Sequence, residues 1–379
     1  MAAPVPACAT LTIDLDAIAV NFHILRDRLG PAACSAVVKA DGYGLGAAPI
    51  AARLVSEGCD EFFVAQFDEA LTLRAALSDA GLDASIYVLN GLVPGAEGEY
   101  IAHRIFPVLN QSTEIDAWAQ TGRACDAAVP AILHIDTGMA RLGLTQEDTA
   151  ALAQTPDRLD GIDLRYVMSH LACASEPDNP MNRLQRDLFI KIMAGFAGVP
   201  GSLANSSGIF LGTDFHFAMT RPGAALYGVQ PRDGGSKIMK QVINLQGKIL
   251  QCRFVDTGQT VGYGATHIAA RRSRIATVGL GYADGFLRSL GSRASGYIDG
   301  TRVPMAGRVS MDLITFDVTD IPEKLCRPGD TIELIGSHHG VDELASEAGT
   351  IGYEILTSLG ARYHRQYLGQ YVGQHPNSA

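Results

Sequence analysis

One lysine closes an apolar run and is followed by glycines at 42, 44 and 46: Ala36-Val37-Val38-Lys39-Ala40-Asp41-Gly42-Tyr43-Gly44-Leu45-Gly46. Taken alone, such a lysine reads as a solvated strand end. Held out of water, the same amine loses its proton more readily and can form a Schiff base with an aldehyde, which is what pyridoxal phosphate chemistry requires. Farther along, Ala204-Asn205-Ser206-Ser207-Gly208 and Arg221-Pro222-Gly223-Ala224 combine hydroxyls with small residues that expose backbone N–H groups. Together they would make a phosphate cradle; each by itself reads equally as a turn. The stretch His134-Ile135-Asp136-Thr137-Gly138-Met139-Ala140-Arg141 offers a guanidinium that could face a carboxylate or phenolate in bidentate fashion. His170, after Ser169, could pack on a cofactor ring or equally be a satisfied core histidine. The strand ends carry no HxH or clustered-carboxylate pattern, so no metal is expected.

These groups need a frame that brings distant segments together. Between residues 14 and 228 short apolar runs alternate with stretches of helical period, and the runs at 35–38, 61–66, 85–90, 104–109, 129–135, 164–170, 202–205 and 224–227 read as strands. The stretch 16–29, with Leu15, Ile18, Phe22, Leu25 and Leu29 on one face, and 68–80, opened by Asp68 as N-cap, read as helices. Eight alternations predict a closed eight-stranded parallel β/α barrel of the TIM type, with its chemistry at the C-terminal ends of the strands. After residue 234 the texture changes: 248–255, 274–280, 296–298, 313–318 and 331–335 are strand-like and are punctuated by Asp299-Gly300 and Pro328-Gly329 turns. Helical period returns at 342–348 and 353–359. The expected organisation is a barrel domain over 10–234 and a mainly β domain over 235–379, with an N-terminal strand over 1–9 available to the latter and the run 9–13 able to join either.

Composition narrows the class. The chain has 379 residues, 47% of them apolar and 18% charged, enough to bury a large core. A formal charge of -10 argues against nucleic acid or an anionic membrane as partner and leaves small molecules or protein. Seven scattered cysteines without a CxxC pair suit a reducing compartment. No segment is long and apolar enough to span a membrane, and no basic residue precedes Arg26, so the expected location is the cytoplasm.

The motifs AVVKADGYGLG, DTGMARLG, ANSS, RPGAALYG, VGYGATH, GYADG and GRVSMD stand in the order and at about the spacing of the alanine racemases, a family the chain resembles from its IDLDAI opening to GYEILTSLGAR near the end. The resemblance implies a pyridoxal phosphate enzyme that interconverts L- and D-alanine, supplying D-alanine for cell-wall peptidoglycan. It implies that Lys39 carries the cofactor, that Tyr43, Ser206, Gly223, Ala224 and Tyr353 bind its phosphate, and that Arg221 faces the pyridine nitrogen with His170 beside it. Arg141 and the Met311 backbone would hold the substrate carboxylate, with Tyr282 and Asp312 at the entrance. Tyr263 would be the second catalytic base, opposite Lys39 and supplied by the other subunit of a homodimer with shared sites.

Two positions depart from the family pattern. Many relatives carry a carbamate-modified lysine where this chain has His134, and more often an aromatic where it has His267. A neutral imidazole accepts a hydrogen bond but cannot supply the carbamate's charge. A broad-specificity racemase for serine or basic amino acids is the alternative on the same scaffold. A non-catalytic pyridoxal phosphate carrier would need neither the second domain nor Tyr263.

Overall fold

The computed structural model describes residues 7–232 and 237–371. Nine parallel strand segments follow one another around a single path, beginning at Ala33–Cys34 and ending at Ala36–Val37. Those two flank Ser35 in one interrupted strand, so the path closes on itself as an eight-stranded barrel. Its strands are short, almost wholly apolar runs: all four residues of Glu61–Val64 are buried, as are three of four in Ser85–Val88. Burial on both faces is what parallel strands wrapped by helices require.

One end of the barrel is plugged. Phe63 stacks on Tyr87 with ring centroids 5.0 Å apart, and Tyr87 meets Phe106 at 5.7 Å. Glu61, the first residue of its strand, accepts hydrogen bonds from Tyr87 and Tyr166, each at 3.1 Å, and burial raises its carboxyl above the usual range. The open end is the one where the strands finish.

The eighth strand is Met219–Arg221, not 224–227: it pairs in parallel with Gly201–Asn205 and Ala33–Cys34. Ala224–Tyr227 is a short 3₁₀ turn, buried throughout and closed by Gly228 at φ +90°. An apolar run of four satisfies a buried turn as well as a buried strand. The helix expected from 68 is Phe67–Asp79, and its N-cap is the extended Gln66 rather than Asp68, with the Gln66 N–H donating to the Glu69 carboxylate at 3.0 Å. The first helix, Leu15–Arg26, buries Leu15, Ile18, Phe22 and Leu25 as its spacing predicts.

A second, mainly antiparallel sheet is built on the long strand Ile243–Val255. The strand Ala9–Asp14 belongs here, antiparallel to Ile243–Val255 and parallel to His364–Leu368. Asp299-Gly300 turns the hairpin between Ser295–Ile298 and Thr301–Pro304. The expected boundary at 234/235 and the expected strand residues 1–6 lie outside the described residues. Among the described residues no helix is long and apolar enough to cross a membrane.

Candidate active site

Lys39 leaves its strand at the open end and the chain then turns abruptly. Ala40, Asp41, Gly42 and Tyr43 all have φ between +52° and +63°, a left-handed run in which three of the four residues carry a Cβ. Each such residue costs about 1–2 kcal/mol, so the surroundings must hold the turn in place. Within it, Gly42 N–H donates to the Val38 carbonyl at 2.8 Å and Gly44 N–H to that of Ala40 at 2.7 Å. The Asp41 carboxylate accepts the Ala47 N–H at 2.8 Å, at the start of helix Ala47–Ser56. From the second sheet, Arg365 donates to the Gly44 carbonyl at 2.7 Å and Tyr367 to that of Leu45 at 2.8 Å. Gly44 itself is needed because a Cβ there would stand 2.6 Å from the Leu356 carbonyl oxygen.

The mouth is a cavity of about 680 Å³ lined by Lys39, Tyr43, His134, Arg141, His170 and Arg221, among others. Burial and the nearby charge of Arg141 push the Lys39 amine below its ordinary value, while Glu69 opposes them. Arg221 is 4% exposed; its guanidinium donates to the Ser202 hydroxyl and to the carbonyls of Ser169 and Leu203. Burial lowers it to about 10, still well above neutrality. Beside it, burial and the Arg221 charge hold His170 well below the usual imidazole range.

Ser206, Gly223, Ala224 and Tyr353 line the same cavity. The Ser206 Oγ accepts the N–H groups of Gly223 at 2.9 Å and Ala225 at 3.2 Å. With both lone pairs engaged, its hydroxyl hydrogen is what it has left to donate. A Cβ on Gly223 would run into the Tyr43 hydroxyl and stand 3.3 Å from Val37 Cβ, so only glycine lets that phenol close over the turn. Tyr43 packs on Tyr227 at 4.6 Å and faces Tyr353 at 6.1 Å.

The loop carrying Arg141 is organised by Asp136, whose carboxylate accepts the N–H groups of Gly138, Met139 and Ala140 at 2.8 to 3.2 Å. Nearby, His134 Nδ1 lies 2.7 Å from Asn110 Oδ1. The Asn110 amide donates to the carbonyls of Leu89 and Val108, so its oxygen must accept, and His134 carries its proton on Nδ1. Burial, reinforced by Arg221, lowers His134 to about 4 and leaves it neutral at physiological pH.

Tyr263 and Met311 are elsewhere. Tyr263, between the paired strands Thr260–Val261 and His267–Ile268, is 72% exposed; Met311 is 54% exposed; neither lines the cavity. Tyr282 is also exposed, and Asp312 pairs at 2.8 Å with Arg362, which in turn grips Asp284. Nor does Tyr282 or Asp312 line the cavity. Sequence reasoning missed Ser202, Asn110, Asn90 and Ile351: Ser202 and Asn110 hold other site groups, and Asn90 and Ile351 line the wall. The first two are ordinary strand or strand-end residues whose roles arise only from what crosses above them.

Residues 13–231 match the family profile of the alanine racemase N-terminal domain, and 242–367 that of the C-terminal domain. The chain belongs to the alanine racemase family. It is 53% identical over 364 residues to an alanine racemase of Rhodospirillum rubrum, covering 96% of each chain. To a catabolic alanine racemase of Mesorhizobium japonicum it is 48% identical, covering 96% of this chain and 94% of that one. Among solved structures it superposes with TM-score 0.91 and 40% identity on the Bartonella henselae alanine racemase with covalently bound pyridoxal phosphate, over 96% of this chain and all of that one.

Proposed function

We propose that this chain interconverts L- and D-alanine with pyridoxal phosphate as its cofactor, that Lys39 and Tyr263 serve opposite faces of the substrate Cα, and that Tyr263 comes from a second copy of the chain. The observation that carries this reading is the convergence in one cavity of the Lys39 amine, the Arg221 guanidinium and the Ser206 hydroxyl. That donor set suits a phosphorylated aromatic aldehyde: an amine for the aldehyde, a guanidinium for a ring nitrogen, and a hydroxyl with glycine-exposed backbone for an anion. Ser206, Gly223, Ala224, Tyr43 and Tyr353 would hold the phosphate, and His170 would lie beside the ring.

Pyridoxal phosphate, when bound, supplies a conjugated ring that withdraws electron density from the substrate Cα and makes its proton removable. The residues do the rest. A Lys39 amine held below its ordinary value is more often neutral near physiological pH, so it can take a proton from one face of Cα or return one. Tyr263 does the same on the other face. Arg221 remains charged, so it would donate to a ring nitrogen without giving up its proton, which would favour proton return over transamination. Arg141, placed by the Asp136 loop, would take the substrate carboxylate with the Met311 backbone of the second copy. The exposure of Tyr263 and Met311 supports their service to a neighbouring chain. The D-alanine formed would feed peptidoglycan synthesis.

A chiral product assay with a panel of L-amino acids and added pyridoxal phosphate tests the reading. D-alanine is expected as the main product. A faster turnover of serine, lysine or arginine would give the site to a broad-specificity racemase, and cofactor capture without any D product would overturn the activity. Growth of a racemase-deficient bacterium without D-alanine, on expression of this chain, tests the cellular role.

A further inference from the structure

We propose that Glu69 is a positioning residue for Lys39, latching the left-handed turn after the lysine to the next corner of the barrel. The inference rests on the reading of Lys39 as the reacting amine. One carboxylate spans two loops here: its Oε1 accepts the Ala40 N–H at 2.6 Å, and its Oε2 accepts those of Ala65 at 2.7 Å and Gln66 at 3.0 Å. Ala65 and Gln66 form the corner between strand Glu61–Val64 and helix Phe67–Asp79. Ala40 shares its peptide plane with the Lys39 carbonyl, so holding that N–H fixes the rotation between Lys39 Cα and its carbonyl carbon, and with it the direction in which the amine leaves the backbone. Hydrogen bonds to an ionised carboxylate are the strong kind, as a run of left-handed Ala40, Asp41 and Tyr43 demands.

The same carboxylate acts on the amine through its charge. Burial and Arg141 pull Lys39 down; Glu69 pulls it up. Across the cavity Lys39 also faces Tyr43, His134, His170, Arg221, Tyr353 and Glu354, of which only Arg221 is cationic near neutrality. Of the carboxylates around it, Glu69, on the adjoining helix, is the one whose charge raises the lysine.

Glu114 provides an internal control. It sits at the corresponding corner between Ile105–Leu109 and Ser112–Ala124, where it accepts the Asn110 N–H at 2.7 Å and also takes backbone N–H groups of Gln111 and Leu92. It therefore ties a helix start to the preceding barrel loop as Glu69 does, but that loop holds no lysine. Capping alone is common to both residues; the bond to Ala40 is not.

The test uses the full chain freed of cofactor and measures the rate of pyridoxal phosphate capture against pH, with borohydride trapping and peptide mass to locate the adduct. Glu69→Gln should lower the plateau rate by at least about fivefold and move the midpoint to lower pH, because a neutral amine reacts and removing the negative charge lowers the lysine pKa. Glu69→Asp, which keeps the charge but shortens the reach, should lower the plateau and keep the midpoint, and it carries the test if the amide variant fails to fold. Hydrogen exchange at the Ala40 amide should rise in both variants at 69. Glu114→Gln should leave the midpoint and the Ala40 exchange as in the unmodified protein. Unmodified plateau and midpoint in Glu69→Gln, or the same changes in Glu114→Gln, would overturn the latch. Absence of a Lys39 adduct in the unmodified protein would instead overturn the reading on which it rests.

Discussion

The barrel mouth and the outer rim of the mainly β region, which carries Tyr263 and Met311, differ in completeness. At the mouth, side chains are buried and held: Arg221 by Ser202 and two carbonyls, His134 by Asn110, the lysine turn by Glu69 of the next helix and Arg365 of the second sheet. At the rim, Tyr263 and Met311 stand largely in solvent. A protein that needs an acid or base on each side of one carbon could build both into one chain. Here one side is finished within the chain and the other is presented outward, which is why we read the rim as made for the mouth of a second copy.

Breaking the mouth should have the largest effect. Lys39→Ala should lose racemisation by at least about 10⁴-fold, together with the visible absorbance of bound cofactor; a borohydride-reducible adduct surviving in that variant would show that another amine carries the cofactor. Breaking the rim should be gentler and selective. Tyr263→Phe should lower racemisation by about 10²- to 10⁴-fold with the cofactor still bound, and α-hydrogen exchange with solvent should survive better from one alanine enantiomer than from the other. Equal loss for both would remove its face-specific role.

Joining the two lesions tests whether mouth and rim meet across chains. Random reassembly of Lys39→Ala with Tyr263→Phe gives half mixed dimers, each with one intact site, so about a quarter of full activity should return. No recovery despite confirmed subunit exchange would place both residues in one chain's site. A smaller effect is expected from Gly223→Ala, whose added methyl meets the Tyr43 hydroxyl. Cofactor affinity, followed by titration, should fall by about tenfold, and unchanged affinity would take Gly223 out of the phosphate cradle. The smallest concerns His134: a neutral imidazole cannot become a carbamate, so added bicarbonate should leave activity unchanged, and only His134→Lys should acquire a dependence.

The barrel and the lysine turn were legible because both are local signals: apolar runs bounded by helical period, and a lysine followed by glycines. Ser206 and the Gly223-Ala224 turn, which meet at the mouth, were legible as two separate segments, since hydroxyls and glycines advertise exposed backbone. The misplaced eighth strand shows where that legibility ends. The Ala224–Tyr227 run is buried in a turn, and Met219–Arg221 is only three residues long and carries a threonine and an arginine, so periodicity favoured the wrong segment. The groups that hold the site, Ser202 under Arg221, Asn110 behind His134 and Glu69 beside Ala40, are separated from their partners by 19, 24 and 29 residues. Nothing in the spacing of a chain announces a contact that exists only after the barrel has closed.

The strand Ala9–Asp14 lies between Ile243–Val255 and His364–Leu368. During synthesis, then, this strand cannot complete its hydrogen-bonded neighbours until residues 364–368 have emerged. Helices and barrel units can condense as they appear, but this sheet waits for a segment about 350 residues later, an arrangement of high contact order that folds slowly. The same last strand carries Arg365 and Tyr367 onto the lysine turn. A growing chain therefore holds the Lys39 turn without these two bonds until residues 365 and 367 have been made.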